Sequence, residues 1–421
     1  MAEYALAIDV GGTFTDVVLS DLKTGELHLL KVPSTPDDPS VGFINGLEKV
    51  LSVSAITPGD LKRIFHGTTT ATNAILEGKG AKVGLIVSDG FKYVLEIGRQ
   101  GMPRLASGHV WVKPDRPVSP GHIFEVAERI DFNGKVVTPL DGEGVIKAAD
   151  RLNASGIDSM AVAFIHSYAD GTNERRAREL ILNSYADAHV SLSSEVLPVF
   201  REYERIMTTV LNAYVMPQVS YYVEKLQENL KERGIDASLL IMKSSGGVIG
   251  VETAVRQPVY TALSGPAAGV MAAKHFGEMT GLNDLISFDM GGTSTDVSLI
   301  PEGKVTSSME GRLGDWPMHL PMVDIATIGA GGGSIAWLTQ SGNLAIGPQS
   351  AGAQPGPVCY SLGGTEPTVT DANIVLGRIS TEIAGGSVKL NVSEARDAIN
   401  KRIAEPLGMT PEQAANGIVK I

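Results

Sequence analysis

The sequence has little cysteine, few aromatic residues and a deficit of basic charge. Among its 421 residues there is a single cysteine, Cys359, and 5% are aromatic. A lone cysteine excludes an intramolecular disulfide and favours a reducing compartment. Its neighbours Pro357, Val358 and Tyr360 indicate a packed structural thiol. The 35 basic residues against 47 acidic ones give a formal charge of −12, which argues against general binding of nucleic acids or anionic membranes.

Long apolar runs and export signals are lacking as well. No stretch approaches membrane-spanning length, and the chain enters a predicted strand at Tyr4–Val10 without a signal-peptide core. We therefore expect a cytoplasmic protein that makes no membrane contact. The eight histidines are scattered without Cys/His ligand spacing, so no structural zinc site is predicted.

Glycine, by contrast, is abundant, and it is concentrated in short loops. One glycine phrase occurs twice, as DVGGTFTD at 9–16 and as DMGGTSTD at 289–296. When Asp9–Leu19 is aligned with Asp289–Leu299, the pairs at Asp, Gly, Gly, Thr, Thr, Asp, Val and Leu are identical. Such agreement indicates a duplicated structural half.

The flanking patterns predict hairpins instead of the strand–helix crossover of a classical dinucleotide site. Strands are predicted at Tyr4–Val10, Val17–Ser20, Leu27–Val32, Lys82–Val87, Ser159–Ile165, Ser238–Met242, Leu285–Met290 and Val297–Ile300. Helices are predicted at Ser40–Val53, Gly90–Ile97, Val145–Ser155, Asn173–Tyr185, Tyr203–Asn229 and Pro266–Phe276, with an irregular segment at Arg99–Pro120. This mixture predicts an α/β protein. We place a domain boundary near Glu195–Arg201, which divides the chain into 1–195 and 196–421.

The twin loops have the composition of phosphate-binding turns. Consecutive glycines allow a ligand to approach the backbone closely, and threonine hydroxyls add donors. The predicted phosphate-binding residues are Gly11, Gly12, Thr13, Gly291, Gly292 and Thr293. A carboxylate next to a phosphate becomes favourable when Mg²⁺ lies between them, so Asp9 and Asp289 are predicted to bind Mg²⁺ and to be catalytic. A plain hairpin turn is the alternative for one copy, and the second copy disfavours it.

Competing phosphate motifs do not fit. There is no G-x-x-x-x-G-K-[ST] sequence, and the GAGGGS stretch at 329–334 ends in Ser where a dinucleotide fingerprint requires its third glycine.

Each of the remaining candidate site residues could instead have a purely structural role. Thr68 and Thr69 precede a predicted helix and could bind an anion or simply cap that helix. His66 could be a general base or a structural histidine. Asp16 and Asp296 could contact metal-bound water or cap the turn, and we favour the structural role. In the REYER stretch, Glu202 and Arg205 could pair across a cleft, but a solvent-exposed helix surface is the preferred interpretation.

Longer stretches resemble the hydantoinase/oxoprolinase family, specifically its alpha-type (N-methylhydantoinase A-like) subunit. The resemblance lies in AIDVGGTFTDVV at 7–18, HGTTTATNAILEGKGAKVGLI at 66–86, LPVFREYERIMTTVLNAYVMP at 197–217, SGPAAGV at 264–270 and DIATIGAGGGSIAW at 324–337. It implies an actin-like ATPase (ribonuclease H-like) fold with duplicated domains. Residues 1–195 would form the N-terminal domain of the family and 196–421 its hydantoinase A-type domain.

The resemblance also implies a function and partners. The activity would be ATP-dependent opening of a cyclic amide, such as hydantoin, 5-oxoproline or a lactam, after phosphorylation of its carbonyl oxygen. ATP and Mg²⁺ would be the cofactors, and a beta-type hydantoinase subunit the partner within an oligomer. The alternatives are a subunit of an ATP-dependent ketone carboxylase and a non-catalytic nucleotide-responsive scaffold.

The end of the sequence predicts one more helix. Thr410, Pro411 and Gln413 form an N-terminal capping box, but no C-cap follows before Ile421. Relatives are expected to continue to an adenosine-binding turn, so we expect a C-terminally truncated chain that is inactive by itself.

Overall fold

The computed structural model describes residues 3–11, 14–35, 38–99, 112–352, 354–383 and 388–421. The chain forms two compact units that interleave in sequence. The first unit comprises Met1–Gly67, Pro266–Thr306 and Val323–Ile421, and the second comprises Thr68–Gly265 and Ser307–Met322. The predicted division into 1–195 and 196–421 follows sequence order instead, and it stays a prediction.

The strands are short and are distributed over both units. The first eleven along the chain are β1 (Tyr4–Val10), β2 (Phe14–Asp21), β3 (Leu27–Pro33), β4 (Leu61–Thr68), β5 (Val83–Ser88), β6 (Ile123–Val126), β7 (Arg129–Ile130), β8 (Val136–Thr138), β9 (Ser159–Ala163), β10 (His189–Leu192) and β11 (Ser238–Met242). They continue as β12 (Val248–Gly250), β13 (Leu285–Met290), β14 (Thr295–Ile300), β15 (Ser307–Leu313), β16 (Trp316–Val323), β17 (Ala326–Ile328), β18 (Ser334–Leu338), β19 (Leu344–Ser350), β20 (Glu382–Ile383) and β21 (Val388–Lys389).

The α-helices vary from one turn to a long central helix. They are α1 (Pro39–Ser54), α2 (Thr70–Leu76), α3 (Val94–Ile97), α4 (Gly142–Ala154), α5 (Thr172–Ser184), α6 (Ser193–Val196), α7 (Glu202–Glu232), α8 (Val251–Arg256), α9 (Ser264–Thr280), α10 (Val369–Val375), α11 (Val392–Ile399), α12 (Glu405–Leu407) and α13 (Pro411–Lys420). Within the described ranges, none of the helices combines the length and apolar character needed to cross a membrane.

The first hairpin consists of β1 and β2, which pair antiparallel with Asp9 opposite Asp16. Its sheet runs in the order β4–β1–β2–β3, so β1 has a strand on each side. Helix α1 packs on β1, β2 and β3, and Asp38 caps that helix by accepting from the Ser40 amide. The close fit depends on Gly46, because a Cβ there would lie 2.7 Å from Val17 Cγ2.

The second hairpin consists of β13 and β14 and repeats the first in register, with Asp289 opposite Asp296. Its sheet has the order β13–β14–β17. Helix α9 packs Ala267 and Val270 against Ile300, which covers one face of the sheet. The predicted hairpin duplication is therefore confirmed.

The second unit contains a parallel sheet in the order β10–β9–β5–β6. Helices α4 and α5 pack on it through a core that includes Val145, Leu152 and Ile181, and α7 also contacts β9 and β10. All residues of β5 and β9 are buried, as expected for a parallel sheet covered by helices. The predicted α/β class is evident here.

The REYER stretch at 201–205 is less exposed to solvent than predicted. Arg205 is buried, so the prediction of a solvent-exposed helix surface is wrong for this residue. Its guanidinium donates to the Phe164 carbonyl (2.7 Å), the Val199 carbonyl (3.2 Å) and Ser193 Oγ (3.2 Å). A buried charge requires hydrogen-bond partners. Two of the three acceptors of Arg205 are backbone carbonyls, and a sequence does not show which carbonyls will face a given side chain.

Most other predicted elements are present within a few residues of their expected ends. The predicted helix Gly90–Ile97 is reduced to the single turn α3, because Gly90 has a φ of +87° and forms a turn. The predicted irregular segment Arg99–Pro120 lies mostly outside the described residues. The capping box of α13 is confirmed, with Thr410 and Gln413 bonded reciprocally. Cys359 is buried beside Asp371, and burial raises the pKa of its thiol, which confirms the structural interpretation.

Candidate functional site

The candidate site lies in the first unit, where both glycine turns are found. Each turn closes with an equivalent hydrogen bond: the Gly11 amide donates to the Phe14 carbonyl (3.1 Å), and the Gly291 amide donates to the Ser294 carbonyl (2.8 Å). Gly291, Gly292 and Thr293 are solvent-exposed. Gly12 and Thr13, predicted to bind phosphate, lie outside the described residues.

The carboxylates that precede the turns influence each other electrostatically. Desolvation by the surrounding protein raises the pKa of Asp9, although the residue keeps solvent-accessible surface. The negative charges of Asp16 and Asp289 raise it further, against the opposing effect of Lys31. Asp9 therefore lies within electrostatic range of Asp289, and a cation near these like charges would lower their mutual repulsion.

Asp16 and Asp296 are bound to the strand beside them in both copies. Asp16 pairs with Lys31 of β3 at 2.8 Å, and Asp296 accepts from Thr327 Oγ1 of β17 at 2.6 Å. The same position therefore fastens the second strand of each hairpin to the third strand. This geometry supports a structural role, but the contacts link neighbouring strands and do not show the predicted capping of the turn.

Gly67 packs directly against the first carboxylate. A Cβ at this position would lie 2.5 Å from Asp9 Oδ1, so a side chain at position 67 would displace the carboxylate. Glycine at this position leaves room for Asp9 to adopt its observed rotamer. Sequence reasoning did not identify Gly67, although the glycine stands inside the conspicuous HGT triplet.

The second turn is supported by a glycine brace, which we define as residues 330–333. The Gly332 amide donates to the Gly291 carbonyl (2.9 Å), and the Gly333 amide donates to the Gly292 carbonyl (2.6 Å). A Cβ at Gly331 or Gly333 would lie 2.8 Å from the backbone of the turn. The brace thus fixes the backbone of the predicted phosphate loop.

Side chains complete the brace at both ends. Thr295 Oγ1, on the second hairpin, donates to the Ala330 carbonyl at 2.6 Å. Thr370 donates from both its amide (2.7 Å) and its hydroxyl (2.9 Å) to the Gly332 carbonyl. From the sequence, this GAGGGS stretch counts only as a poor dinucleotide motif. Its three consecutive glycines were the signal for a close backbone contact.

His66 lies in the core beneath the first hairpin. Its ring is fully buried and packs edge-on against Phe43, with ring centroids 5.0 Å apart. Nδ1 donates to the Ile8 carbonyl at 3.0 Å, since a carbonyl oxygen can only accept. Burial lowers the pKa of His66 to about 4, despite the opposing effect of this hydrogen bond. The geometry favours the structural alternative, and the catalytic role stays a prediction.

Thr68 and Thr69 belong to the second unit and to the end of β4 and the start of α2. The Thr68 hydroxyl lies 2.9 Å from Thr70 Oγ1, and its carbonyl accepts from Ser264 Oγ at 3.2 Å. Thr69 is the N-cap of α2, but its hydroxyl accepts from Asn73 Nδ2 (3.2 Å) and not from a helix amide. Their role in ligand binding stays a prediction.

The donor set around the turns suits a hard divalent cation. Asp9 and Asp289 provide carboxylate oxygens, the ligands Mg²⁺ prefers, and Mg²⁺ commonly completes its shell with water and phosphate. Among the described residues, no group of three or more His, Cys, Asp or Glu side chains is placed to hold a metal ion. Binding of Mg²⁺ by the two aspartates stays a prediction.

A separate groove of about 890 Å³ lies in the second unit. Its charged lining residues are Arg99, Lys113, Arg116, Arg201, Arg312, Glu204, Glu310 and Asp315. Arg99 pairs with Glu204, while Arg201 has a strained φ of +85°. None of the site residues predicted from the sequence lines this groove.

Comparison with known families matches nearly the whole chain. Residues 5–185 match the profile described as hydantoinase/oxoprolinase N-terminal region, and residues 205–421 match the profile described as hydantoinase/oxoprolinase.

Individual relatives agree with the family matches. An uncharacterized protein of Methanocaldococcus jannaschii is 40% identical over 99% of this chain and 63% of its own length. The caprolactamase subunit alpha of Pseudomonas jessenii is 38% identical over 100% of this chain and 61% of its own length. The chain thus spans roughly three fifths of the length of these relatives.

A solved structure shows the same fold. The nucleotide-free structure of an acetone carboxylase that carries out ATP-dependent acetone carboxylation superposes with a TM-score of 0.81 at 30% identity, covering 100% of this chain and 61% of that chain. The match confirms the predicted α/β, actin-like ATPase fold class.

Proposed function

Since the chain belongs to the hydantoinase/oxoprolinase family, we propose that it is the nucleotide-binding part of an ATP-dependent enzyme that opens a cyclic amide. One observation carries this proposal. The first unit contains two equivalent glycine turns, each preceded by an aspartate in the same register, and the charge of Asp289 reaches Asp9.

The proposed reaction solves a chemical problem of amides. The carbonyl carbon of a lactam, hydantoin or 5-oxoproline is a poor electrophile, and its ring nitrogen is a poor leaving group. Transfer of the γ-phosphoryl group of ATP to the carbonyl oxygen produces an imidate-phosphate and ADP. Water then attacks the carbon, and the tetrahedral intermediate breaks its C–N bond, which opens the ring and leaves an acyl phosphate with the protonated ring nitrogen as leaving group. A second water hydrolyses the acyl phosphate to the carboxylic acid and inorganic phosphate. Such catalysis depends mainly on positioning and charge neutralisation.

The residues of this chain would supply that positioning. The Gly292 amide and the Thr293 hydroxyl would donate to phosphate oxygens, joined by Gly12 and Thr13 of the first turn. Gly11 and Gly291, whose amides close the two turns, would let phosphate approach the backbone closely. Asp9 and Asp289 would hold Mg²⁺, which neutralises phosphate charge when bound. The glycine brace would keep the second turn fixed while charge moves between phosphate and substrate.

A ketone carboxylase subunit is the second candidate function. It is favoured by the fold shared with the acetone carboxylase structure. Both reactions can begin with O-phosphorylation, so the turns would serve either one. We further propose a cytoplasmic, multi-subunit assembly with a beta-type partner, because the Pseudomonas jessenii relative is itself designated a subunit.

The experiment measures ADP release by the purified chain with its co-expressed beta-type subunit, and identifies products by mass spectrometry. Hydantoin, 5-oxoproline and caprolactam would be compared with acetone plus bicarbonate. The expected result is ADP release that depends on a cyclic amide, with a ring-opened acid as product. A keto acid would establish the carboxylase instead. Nucleotide binding without substrate-stimulated ADP release would contradict both and identify a nucleotide-responsive scaffold.

A further inference from the structure

The groove in the second unit is a separate place where a ligand could bind. The described residues that line it fall in the stretches 98–99, 113–116, 201–207 and 310–319, which include the start of α7 and the hairpin of β15 and β16. Its volume of about 890 Å³ lies in the range of small-molecule sites. None of these lining residues belongs to the glycine turns or to the glycine brace.

The groove is rich in positive charge although the chain as a whole is acidic. Its described lining contains four arginines and one lysine against three carboxylates, whereas the chain has a formal charge of −12. Arg99 and Glu204 form an ion pair with each other. The rest of the lining therefore has four cations against two carboxylates, and this excess favours an anionic ligand.

Much of this positive charge acts on Tyr203, at the start of α7. Burial raises the pKa of the Tyr203 hydroxyl, and the negative charge of Glu204 adds to this effect. The charges of Arg116, Arg312 and Arg99 oppose it. Three guanidinium groups thus lie within electrostatic range of one aromatic side chain.

The cations of the groove are oriented by neutral groups. Arg116 Nε donates to the Leu95 carbonyl at 2.8 Å, and Arg312 Nη2 donates to the Asp315 carbonyl at 3.0 Å. Lys113 Nζ donates to the carbonyls of residues 96 and 97 at 3.0 and 2.9 Å. In the described part of the chain, every hydrogen bond from these three side chains ends on a backbone carbonyl. Carbonyls fix a cation without neutralising it, so the charge stays available to an anion.

Apolar and aromatic side chains line the same groove. They are Tyr203, Met207, Trp316, Pro317 and Met318. Trp316 is held in place, because its Nε1 donates to the Asp115 carbonyl at 2.8 Å and its ring packs edge-on against Tyr214, with centroids 5.4 Å apart. Apolar walls combined with a few polar groups are typical of small-molecule sites. The lining therefore suits an anion that has an apolar body.

A carboxylate fits this lining better than a phosphate. A planar guanidinium binds the two oxygens of a carboxylate bidentately. A phosphate dianion could also bind arginine, but its second negative charge would be repelled by Glu310 and Asp315, which line the groove as well. A singly charged anion avoids most of this repulsion.

We propose that the groove in the second unit binds a small organic carboxylate. The carboxylate pairs with the guanidinium groups of Arg116 and Arg312, and the apolar body of the ligand lies against Tyr203 and Trp316. Because the groove shares no residue with the glycine turns, this binding does not require ATP. Phenylacetate, with one carboxylate and one aromatic ring, has both features and serves as the probe.

The test is isothermal titration of phenylacetate into the full chain without nucleotide. Phenylacetamide, acetate and inorganic phosphate are titrated for comparison. Phenylacetamide keeps the shape of the probe but has no charge, and acetate keeps the charge but has no ring. Phenylacetate should bind at least about tenfold more tightly than each of these compounds, because only it satisfies both parts of the groove.

Substitutions locate the binding in the groove. Arg312→Gln and Arg116→Gln should each weaken phenylacetate binding at least about tenfold, because each removes charge-assisted hydrogen bonds. Arg312 is solvent-exposed, so Arg312→Gln decides the test if Arg116→Gln fails to fold. Arg176→Gln is the matched control, since it makes the same charge change in the same unit at a side chain that is 58% exposed and outside the groove. It should bind as the parent does.

Several outcomes would overturn the proposal. One is a folded parent that does not bind phenylacetate, and another is phenylacetamide or acetate binding as tightly as the probe. Phosphate binding as tightly as phenylacetate would identify a site for inorganic anions instead. Unchanged binding by Arg312→Gln, or equal weakening by Arg176→Gln, would show that the groove does not hold the carboxylate.

Discussion

The two hairpins carry nearly the same sequence, yet their surroundings differ. The first is enclosed by α1 and by strands on both sides of β1, and its turn follows a carboxylate packed against Gly67. The second leaves an apolar face exposed, and its turn is fixed by hydrogen bonds from the glycine brace. The comparison teaches that a repeated motif specifies the hairpin and its register, while the elements that fix it are supplied from elsewhere in the chain.

The first prediction compares the loss of stability at a buried position of the first hairpin with the loss at the equivalent exposed position of the second. Leu6→Ala should lower the free energy of unfolding by about 2–5 kcal/mol, because it leaves a cavity in a closed core. Ile286→Ala, at the equivalent exposed position, should change it by less than about 0.5 kcal/mol. Urea unfolding of the two variants measures both values. Equal destabilisation would show that the exposed face of the second hairpin is covered in solution.

A second prediction concerns His66, which lies beneath the first hairpin and bonds to its strand β1. Its pKa of about 4 lies below the ordinary value of 6.5, so the unfolded chain binds the proton more tightly. This contribution to stability is present above pH 6.5 and is lost as the pH falls toward 4, by up to about 3 kcal/mol.

Unfolding measured across this pH range should show the loss in the parent, and the His66→Gln variant should show a flatter dependence. His275→Gln, which changes an exposed histidine, serves as the control and should keep the parent's slope. A slope unchanged by His66→Gln would contradict the assignment of this histidine.

The glycine brace predicts an intermediate effect on the second hairpin. Gly331→Ala and Gly333→Ala place a Cβ 2.8 Å from the turn backbone, and should each cost about 1–3 kcal/mol through overpacking. Gly329→Ala is the matched control, since no atom lies within 4 Å of its Cβ position. Thermal unfolding and hydrogen exchange at 289–296 measure the effect. Equal behaviour of the three variants would show that the brace does not fix the turn.

The smallest effect concerns the charge of Asp9. Its pKa is raised by desolvation and by Asp16 and Asp289, so the folded chain binds this proton more tightly than the unfolded chain does. The carboxylate therefore destabilises the fold above its folded-state pKa, and the penalty disappears on acidification. Asp9→Asn should raise the Tm slightly at pH 7 and have no effect at low pH. A lowered Tm at pH 7 would contradict the electrostatic interpretation.

How much the sequence could predict depends on the range of the interactions involved. The hairpins follow from local signals, namely paired glycines and alternating apolar residues, and α1 follows from the helical periodicity of 40–53. Gly67, the brace and the burial of Arg205 could not be derived, because each depends on a contact with a residue distant in the chain. The exposure of Phe288 was equally hidden, since its alternating pattern is the same as that of Ile8.

In the proposed function, the two hairpins hold the phosphates of one nucleotide together. Isothermal titration of ATP with Mg²⁺ into the parent chain and into Asp9→Asn, Asp289→Asn and Asp236→Asn tests it most directly. Asp236 is exposed and lies outside both hairpins, so its variant is the control. We predict magnesium-dependent binding by the parent and by Asp236→Asn, and its loss in both hairpin variants. Binding that survives either hairpin substitution unchanged, or a folded parent that binds no ATP, would contradict the claim.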